Sequence, residues 1–363
     1  CGPARACLQT GKYATQTNCF RNAIALSKDE DTIAKYVENG GYDTAYIGKW
    51  HLASTDTKQD YATTAIPLEY RGGWSNYWMA ADVLEFTSTS KGGYLFNENN
   101  EKVNFNKYRP DALTDFAIDY IDNKRDKDKP FFLFISYLEP HHQNTSNKFE
   151  GPEYSEEKYG EFVPPKDLKE GRGDWQESYA DYLGCCNSLD NNLNRILKKL
   201  EEENLRDDTL IIFTSDHGCH FKTRNSEYKR SCHENSIRIP LVINGPKFKG
   251  GKVIKDLVSL MDIPPTFLNA ANIDIPKAMV GNPLQNLLEN PENWKKEIFI
   301  QISESQVGRA IRTKKWKYSV RALNKDGWID KDSKLYFEDF LYDLESDPFE
   351  ERNLVREKEY ENI

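Results

Sequence analysis

Phe131-Phe132-Leu133-Phe134-Ile135-Ser136-Tyr137-Leu138, followed at once by Glu139-Pro140-His141-His142, is the stretch from which the architecture can be read. A run of this length without a charge is what a strand covered on both faces looks like, and such strands belong to parallel sheets wrapped by helices. Upstream, Asp111 follows Pro110 and can cap a helix whose Leu113, Phe116, Ala117, Tyr120 and Ile121 share one face. Downstream, Leu189, Leu193, Ile196, Leu197 and Leu200 repeat the helical spacing, and Leu210 to Phe213 is another buried strand. This alternation predicts an α/β fold: a mainly parallel sheet sandwiched by helices.

Further from that centre, Asp31 to Asn39 reads as a helix stopped by Gly40-Gly41, and Tyr42 to Gly48 as a strand. Residues 1–11 read as an opening loop. Residues 53–109 and 143–175 lack clean periodicity and read as two long loops of the kind that carry binding specificity. Pro240 to Asn244 reads as a strand, and Val258 to Ala271 as a short strand followed by a helix opened by Asp262 and Pro264-Pro265. Beyond a Pro/Asn-rich segment, short alternating strands (Ile298 to Ile302, Arg309 to Val320, Phe340 to Asp343) predict a small antiparallel α+β subdomain. The expected division is a catalytic domain over 1–295 and a C-terminal subdomain over 296–363.

The chain has 363 residues, 38% hydrophobic and 29% charged, enough for a full core. A net charge of -9 argues against nucleic acid as a partner, because phosphate binding needs a surplus of Lys and Arg. No apolar run reaches membrane-spanning length, so no membrane segment is expected and the chain reads as soluble, with export left open. The seven cysteines form no CxxC pair, so neither a zinc ribbon nor a disulfide framework is indicated.

Polar clusters follow three of the strands directly: Gly48-Lys49-Trp50-His51, Glu139-Pro140-His141-His142 and Ser215-Asp216-His217-Gly218. Ligands bind outside the carboxyl ends of the strands of open α/β sheets, so the three should converge. Each has an ordinary reading: His51 as a hydrogen-bonded side chain, the His141-His142 pair as a polar loop, Asp216 as a turn cap. Their joint occurrence favours function. Lys49, Arg5 and Lys229 are cations that could hold a tetrahedral oxyanion, and His51 and His141 are acid/base groups near neutral pH. Asp216 and His217 suit a metal, although two ligands are too few. Cys1, with Arg5 nearby in Cys1-Gly2-Pro3-Ala4-Arg5, is a candidate nucleophile or a buried structural cysteine.

CxPxR followed by Leu8-Gln9-Thr10-Gly11, then GKWHL from Gly48, Pro140-His141 after the apolar strand, TSDHG from Thr214, and Lys229 five residues before Glu234 resemble the type I formylglycine-dependent sulfatases of the alkaline phosphatase superfamily. The resemblance runs the length of the chain, including Arg309 to Thr313, Trp316-Lys317-Tyr318 and Leu341 to Leu344. It implies that a formylglycine-generating maturation enzyme oxidises Cys1, and that the hydrated aldehyde attacks a sulfate ester. Arg5 and Lys49 would orient the hydrate, and His51 would take its second proton. His141 and Lys229 would bind the ester and protonate the leaving alcohol. Asp216, His217 and Cys1 as formylglycine would ligate a divalent ion, usually Ca2+, with His142 and His233 lining the substrate pocket.

The chain departs from that family in two respects. The paired aspartates that complete the metal site lie upstream of CxPxR, so the sequence resembles a fragment lacking the N-terminal strand. His217 stands where many members have Asn. The expected substrate is a sulfated small molecule or glycan, a sulfated carbohydrate by the character of the two loops. Competing readings are a phosphomonoester or phosphodiester hydrolase of the same superfamily, an N-terminal cysteine hydrolase, and a non-catalytic sulfated-glycan binding protein.

Overall fold

A computed structural model describes residues 1–56, 59–168 and 171–363. Residues 57, 58, 169 and 170, which fall within the two expected loops, lie outside the described residues. In chain order the elements are helices α1 (Gly2–Thr10) and α2 (Ile33–Asn39), strands β1 (Asp43–Lys49) and β2 (Tyr77–Ala81), helix α3 (Leu84–Thr87), strands β3 (Ser88–Thr89), β4 (Gly92–Asn97) and β5 (Lys102–Phe105), helix α4 (Arg109–Asp119), and strand β6 (Phe131–Ser136). Then come α5 (Ser155–Tyr159), α6 (Tyr179–Glu202), β7 (Ile211–Thr214), α7 (Glu234–Ile237), β8 (Leu241–Asn244), α8 (Ile263–Ala270), α9 (Leu284–Glu289) and strands β9 (Glu297–Ile302), β10 (Gly308–Thr313), β11 (Trp316–Arg321) and β12 (Phe337–Asp343).

The main sheet runs β3-β4-β2-β1-β6, with β5 on β4; β1 lies parallel to both β2 and β6, while β3, β4 and β5 pair antiparallel. Successive side chains of a strand point to opposite faces. Tyr46 accordingly joins a cluster with Ala6, Ile33, Trp74 and Leu268 from the α1, α2 and α8 side, whereas Ala45 and Ile47 join Leu113, Ala117, Ile196 and Leu200 from α4 and α6. The strand is buried throughout because helices cover both sides, which is the expected sandwich. Strands β9 to β12 form a separate four-stranded antiparallel sheet.

Several expectations change. The opening segment is a helix: Pro3 sits in its first turn, where a missing N–H costs nothing, and Gly11 closes it in the left-handed region at φ 66. The stretch 53–109 holds β2, a neighbour of β1 in the parallel centre, and the antiparallel margin. Asp111 lies inside the first turn of α4, whose cap position is Tyr108. No strand forms at Val258; Ser259 and Asp262 instead build a reciprocal capping box ahead of α8. Strand β6 is only half-buried over Phe131 to Ile135. Among the described residues it pairs with β1 alone and β7 pairs only with β8, so the two strands leave edges on a cavity of about 1760 Å³ lined by Phe132, Phe134, Leu193, Ile196, Ile211 and Phe213.

Candidate active site

That cavity reaches the carboxyl ends of β1, β6 and β7, where the three polar clusters meet the N-terminus of α1. Cys1 occupies the cap position of α1. Its Sγ lies 3.1 Å from His217 Nε2, and Lys229 Nζ donates to it at 3.1 Å. The same ammonium reaches His141 Nε2 at 3.2 Å. Arg5, one turn into α1, donates to the Lys49 carbonyl (2.8 Å) and to Ser136 Oγ at the end of β6 (2.6 Å). Its Nε lies 3.3 Å from Asp216 Oδ2, within ion-pair range but without hydrogen-bond geometry.

Backbone carbonyls fix the ring tautomers. His141 Nδ1 donates to the His142 carbonyl at 2.6 Å, and His217 Nδ1 donates to the Gly218 carbonyl at 2.9 Å. A carbonyl only accepts, so in the neutral ring each Nε2 is a bare lone pair. Burial, reinforced by Lys229 and Lys49, holds His141 well below the usual imidazole value. Burial does the same to His217 against the opposing charge of Asp216. Hence His141 Nε2 accepts from Lys229, and His217 Nε2 faces Cys1 unprotonated. Burial alone would raise the Asp216 carboxyl, but His217 and Arg5 bring it well below its usual range. Burial lowers the Lys229 ammonium, and Asp216, Glu85 and Glu304 oppose the drop.

Lys49 and His51 are placed differently. Lys49 Nζ makes a two-pronged ion pair with Glu85, at 2.8 and 2.9 Å, and both side chains are almost fully buried. Burial pulls Lys49 down although Glu85 opposes it; burial would raise Glu85, but Lys49 foremost takes it well below the carboxylate range. His51, in the left-handed region at φ 61, lines the cavity with Nδ1 buried and unpartnered, and burial followed by Lys49 keeps it well below the usual value. Among the described residues no hydrogen bond joins His51 to Cys1.

His142 lines the cavity, stacked on His141 (centroids 4.8 Å apart) and against Tyr228 (4.5 Å). His233 does not line it, which corrects the sequence expectation. It caps α7 with the ring turned into the C-terminal sheet, 3.1 Å from the Tyr342 hydroxyl and edge-on to Phe340. Neighbourhood in sequence to the Lys229 segment misled, because the ring packs on Tyr342 and Phe340 instead of facing the cavity. Sequence reasoning also missed Glu85, Asp82 and Ser136. Asp82 accepts from the N–H groups of Leu52, Ala53 and Ser54 and so shapes the turn after His51. The strand-end rule would have found Asp82 had Tyr77–Ala81 been recognised as a strand, since it follows that strand directly, whereas Glu85 lies further on, inside α3.

Cys1, Asp216 and His217 bring one sulfur, one carboxylate oxygen and one ring nitrogen within 4.8 Å of one another. A bare Nε2 on a ring anchored through Nδ1 to a carbonyl is the usual preparation of a metal-binding histidine, and Asp216 Oδ2 is a buried acceptor without a hydrogen bond. The donor set therefore suits a divalent cation.

A helix-wrapped α/β sheet with these groups at its strand ends defines the class: the hydrolases of the alkaline phosphatase superfamily. Within that class the chain belongs to the sulfatase family, matching "Sulfatase" over residues 1–273 and "N-sulphoglucosamine sulphohydrolase, C-terminal" over 226–363. It is thus a sulfuric ester hydrolase by family. Among its relatives, an ulvan-active sulfatase of Formosa agariphila is 30% identical, with all of this chain and 69% of that protein aligned. A protein solved in complex with its substrate D-glucosamine-2-N,6-O-disulfate superposes with a TM-score of 0.74 at 22% identity, over 99% of this chain and 84% of the other. A phosphonate monoester hydrolase of Agrobacterium radiobacter does so at 0.72 and 22%, over 99% and 83%.

Proposed function

We propose that this chain hydrolyses a sulfate ester on a sulfated carbohydrate, using formylglycine made from Cys1 by a maturation enzyme and a divalent cation held by Asp216, His217 and residue 1. The observation that carries the reading is the convergence of Lys229, His217 and, through Lys229, His141 on Cys1. Formylglycine, once hydrated, supplies two geminal hydroxyls, one to attack sulfur and one whose deprotonation expels sulfate and restores the aldehyde. Held by Asp216, His217 and residue 1, a divalent cation would supply charge neutralisation at the sulfate oxygens, and an oxygen in place of Sγ would make the donor set harder and better suited to calcium.

The chain's own groups do the rest. Lys229 lies between residue 1 and His141, where it can clamp a sulfate oxygen and pass a proton toward the leaving alcohol. His141, with its Nε2 lone pair directed at that ammonium, keeps the proton mobile. Arg5 holds the end of β6 and the Lys49 carbonyl in register with α1, and His51 is the base for the second hydroxyl. Lys49, neutralised by Glu85, orients the hydrate through a fixed dipole more than through net charge. His142 and Tyr228 form the wall that meets the sugar. The carbohydrate assignment is supported by the ulvan-active relative and by the aromatic and polar lining.

Two measurements test this. Mass spectrometry of the peptide bearing residue 1, from full-length protein made with a maturation enzyme, should show a loss of about 18 Da on conversion to the aldehyde; full activity with an intact thiol would sink the mechanism. Parallel assays on 4-nitrophenyl sulfate and 4-nitrophenyl phosphate should show preference for sulfate. The reverse preference would favour the phosphohydrolase reading that the shared fold leaves open, and turnover of neither substrate would favour glycan binding without catalysis.

A further inference from the structure

Glu304 plays no role in the chemistry above, yet its setting is costly. It lies between β9 and β10 of the C-terminal sheet, is 5% exposed, and holds a left-handed backbone at φ 66. A strained, non-glycine backbone and a desolvated carboxylate both persist only where the surroundings enforce them. Glu304 Oε1 accepts from the Asn22 backbone N–H at 2.6 Å, and Asn22 Oδ1 in turn accepts from the N–H of Gly2 at 2.9 Å. Gly2 is buried and is the first residue of α1, directly after Cys1; a Cβ on it would lie 3.0 Å from Asn22 Oδ1, so the contact is tight. The other oxygen of Glu304 pairs with the Arg230 guanidinium. Arg230 follows Lys229, and its carbonyl accepts from Ser305 Oγ at 2.7 Å. One buried carboxylate is thus linked through Asn22 to the peptide next to Cys1, and through the Arg230 side chain to the residue next to the lysine that contacts Cys1.

We propose that Glu304 is a positioning residue for the sulfatase reaction: acting through Asn22 and Arg230, it fixes residue 1 relative to Lys229, which makes the C-terminal sheet a working component of the active site. The proposal rests on the reading of residue 1 as the nucleophile. Misplacing a reacting group by about 1 Å can cost on the order of 100-fold in rate. Losing the relay should therefore lower kcat and leave KM nearly unchanged, because the groups that touch the ester remain.

The test uses full-length protein made with a maturation enzyme and assayed on 4-nitrophenyl sulfate, with kcat normalised to the fraction of residue 1 converted. Glu304→Ala should lose about 10- to 100-fold in kcat with KM within about threefold. Glu304→Gln keeps an acceptor for the Asn22 N–H and should recover most of that loss. Asn22→Ala, at a half-buried position, breaks the link to Gly2 and should reproduce the kcat loss beyond what any fall in Tm accounts for. Wild-type kcat in Asn22→Ala and Glu304→Ala would overturn the proposal, as would a loss that appears only in proportion to a fall in Tm. Cys1→Ala separates the two readings. Turnover that survives it defeats the nucleophile assignment, whereas turnover abolished by it but indifferent to Asn22 and Glu304 defeats the positioning role alone.

Discussion

Lys229 is the residue on which the geometry at Cys1 depends, since its one ammonium joins the sulfur to His141. Lys229→Ala should lower kcat by about 100- to 10,000-fold, the range for loss of a positioned charge and proton carrier, measured by steady-state kinetics on 4-nitrophenyl sulfate. A change of less than threefold would mean that another cation holds the ester. His141 sets a pH dependence. Burial first, then Lys229 and Lys49, lower its affinity for a proton below the usual 6.5, so the ring stays a neutral acceptor as pH falls through 6.5 and protonates only further down. The acid limb of kcat/KM that belongs to His141 is then expected below pH 6.5, and His141→Asn should remove it; a limb at or above 6.5 that vanishes in the variant would contradict the buried, neutral ring. At this scale much of the site was legible, because Lys49, His141 and Asp216 each end or follow an apolar run whose carboxyl end opens on the same cavity. Glu85 and Asn22 were not, because a carboxylate paired with a buried lysine and an amide that accepts from one peptide N–H leave no pattern along the chain.

Among the elements, the junction of β1 and β6 is what holds these clusters in register. Gly48 pairs with Ser136 and adopts φ 104; a Cβ there would stand 2.1 Å from the Ser136 carbonyl oxygen. Gly41 also has a left-handed φ of 87, yet nothing lies within 4 Å of its Cβ position. Gly41→Ala should therefore cost only backbone strain, about 1 kcal/mol, whereas Gly48→Ala adds a clash that must push β1 and β6 apart and should cost about 3 kcal/mol or more. Chemical denaturation of these variants measures the difference, and Gly48→Ala should also lose turnover because Lys49 and Ser136 move with the strands. Equal destabilisation would mean that strain alone matters. The elements missed from sequence were those specified by partners. Tyr77–Ala81 is short and rich in alanine and methionine, and becomes a strand by pairing with β1 on one side and β4 on the other. Strand β1 and helix α6 carry their own periodicity and could be read directly.

Across the whole molecule, the apolar run at 131–138 announced a strand covered on both faces, and the sheet order leaves β6 at an edge facing β7 across the cavity. Composition reports what a strand wants to bury, and only topology says what lies beside it. The tie between the cavity-bearing region and the C-terminal sheet was equally invisible, because it is ionic and long-range. Lys317 of β11, fully buried, reaches Glu234 at 2.7 Å and Glu350 at 2.5 Å, and Arg224 donates to the carbonyls of Phe349 and Glu350. Replacing Lys317 by Met leaves two carboxylates, but Glu234 keeps Arg312 at 3.3 Å, so the uncompensated charge is that of Glu350, 2% exposed. Stranding a buried charge in this way typically costs about 3–5 kcal/mol. Thermal unfolding of Lys317→Met should show a clearly lowered Tm, and Lys317→Met/Glu350→Gln should regain some of it because the second change removes the stranded charge. Coupling of at least about 1 kcal/mol between the two substitutions is expected for groups in direct contact. Additive effects in that double-mutant cycle would show that Lys317 and Glu350 are not energetically coupled and that the tie between the cavity-bearing region and the C-terminal sheet rests on their other contacts.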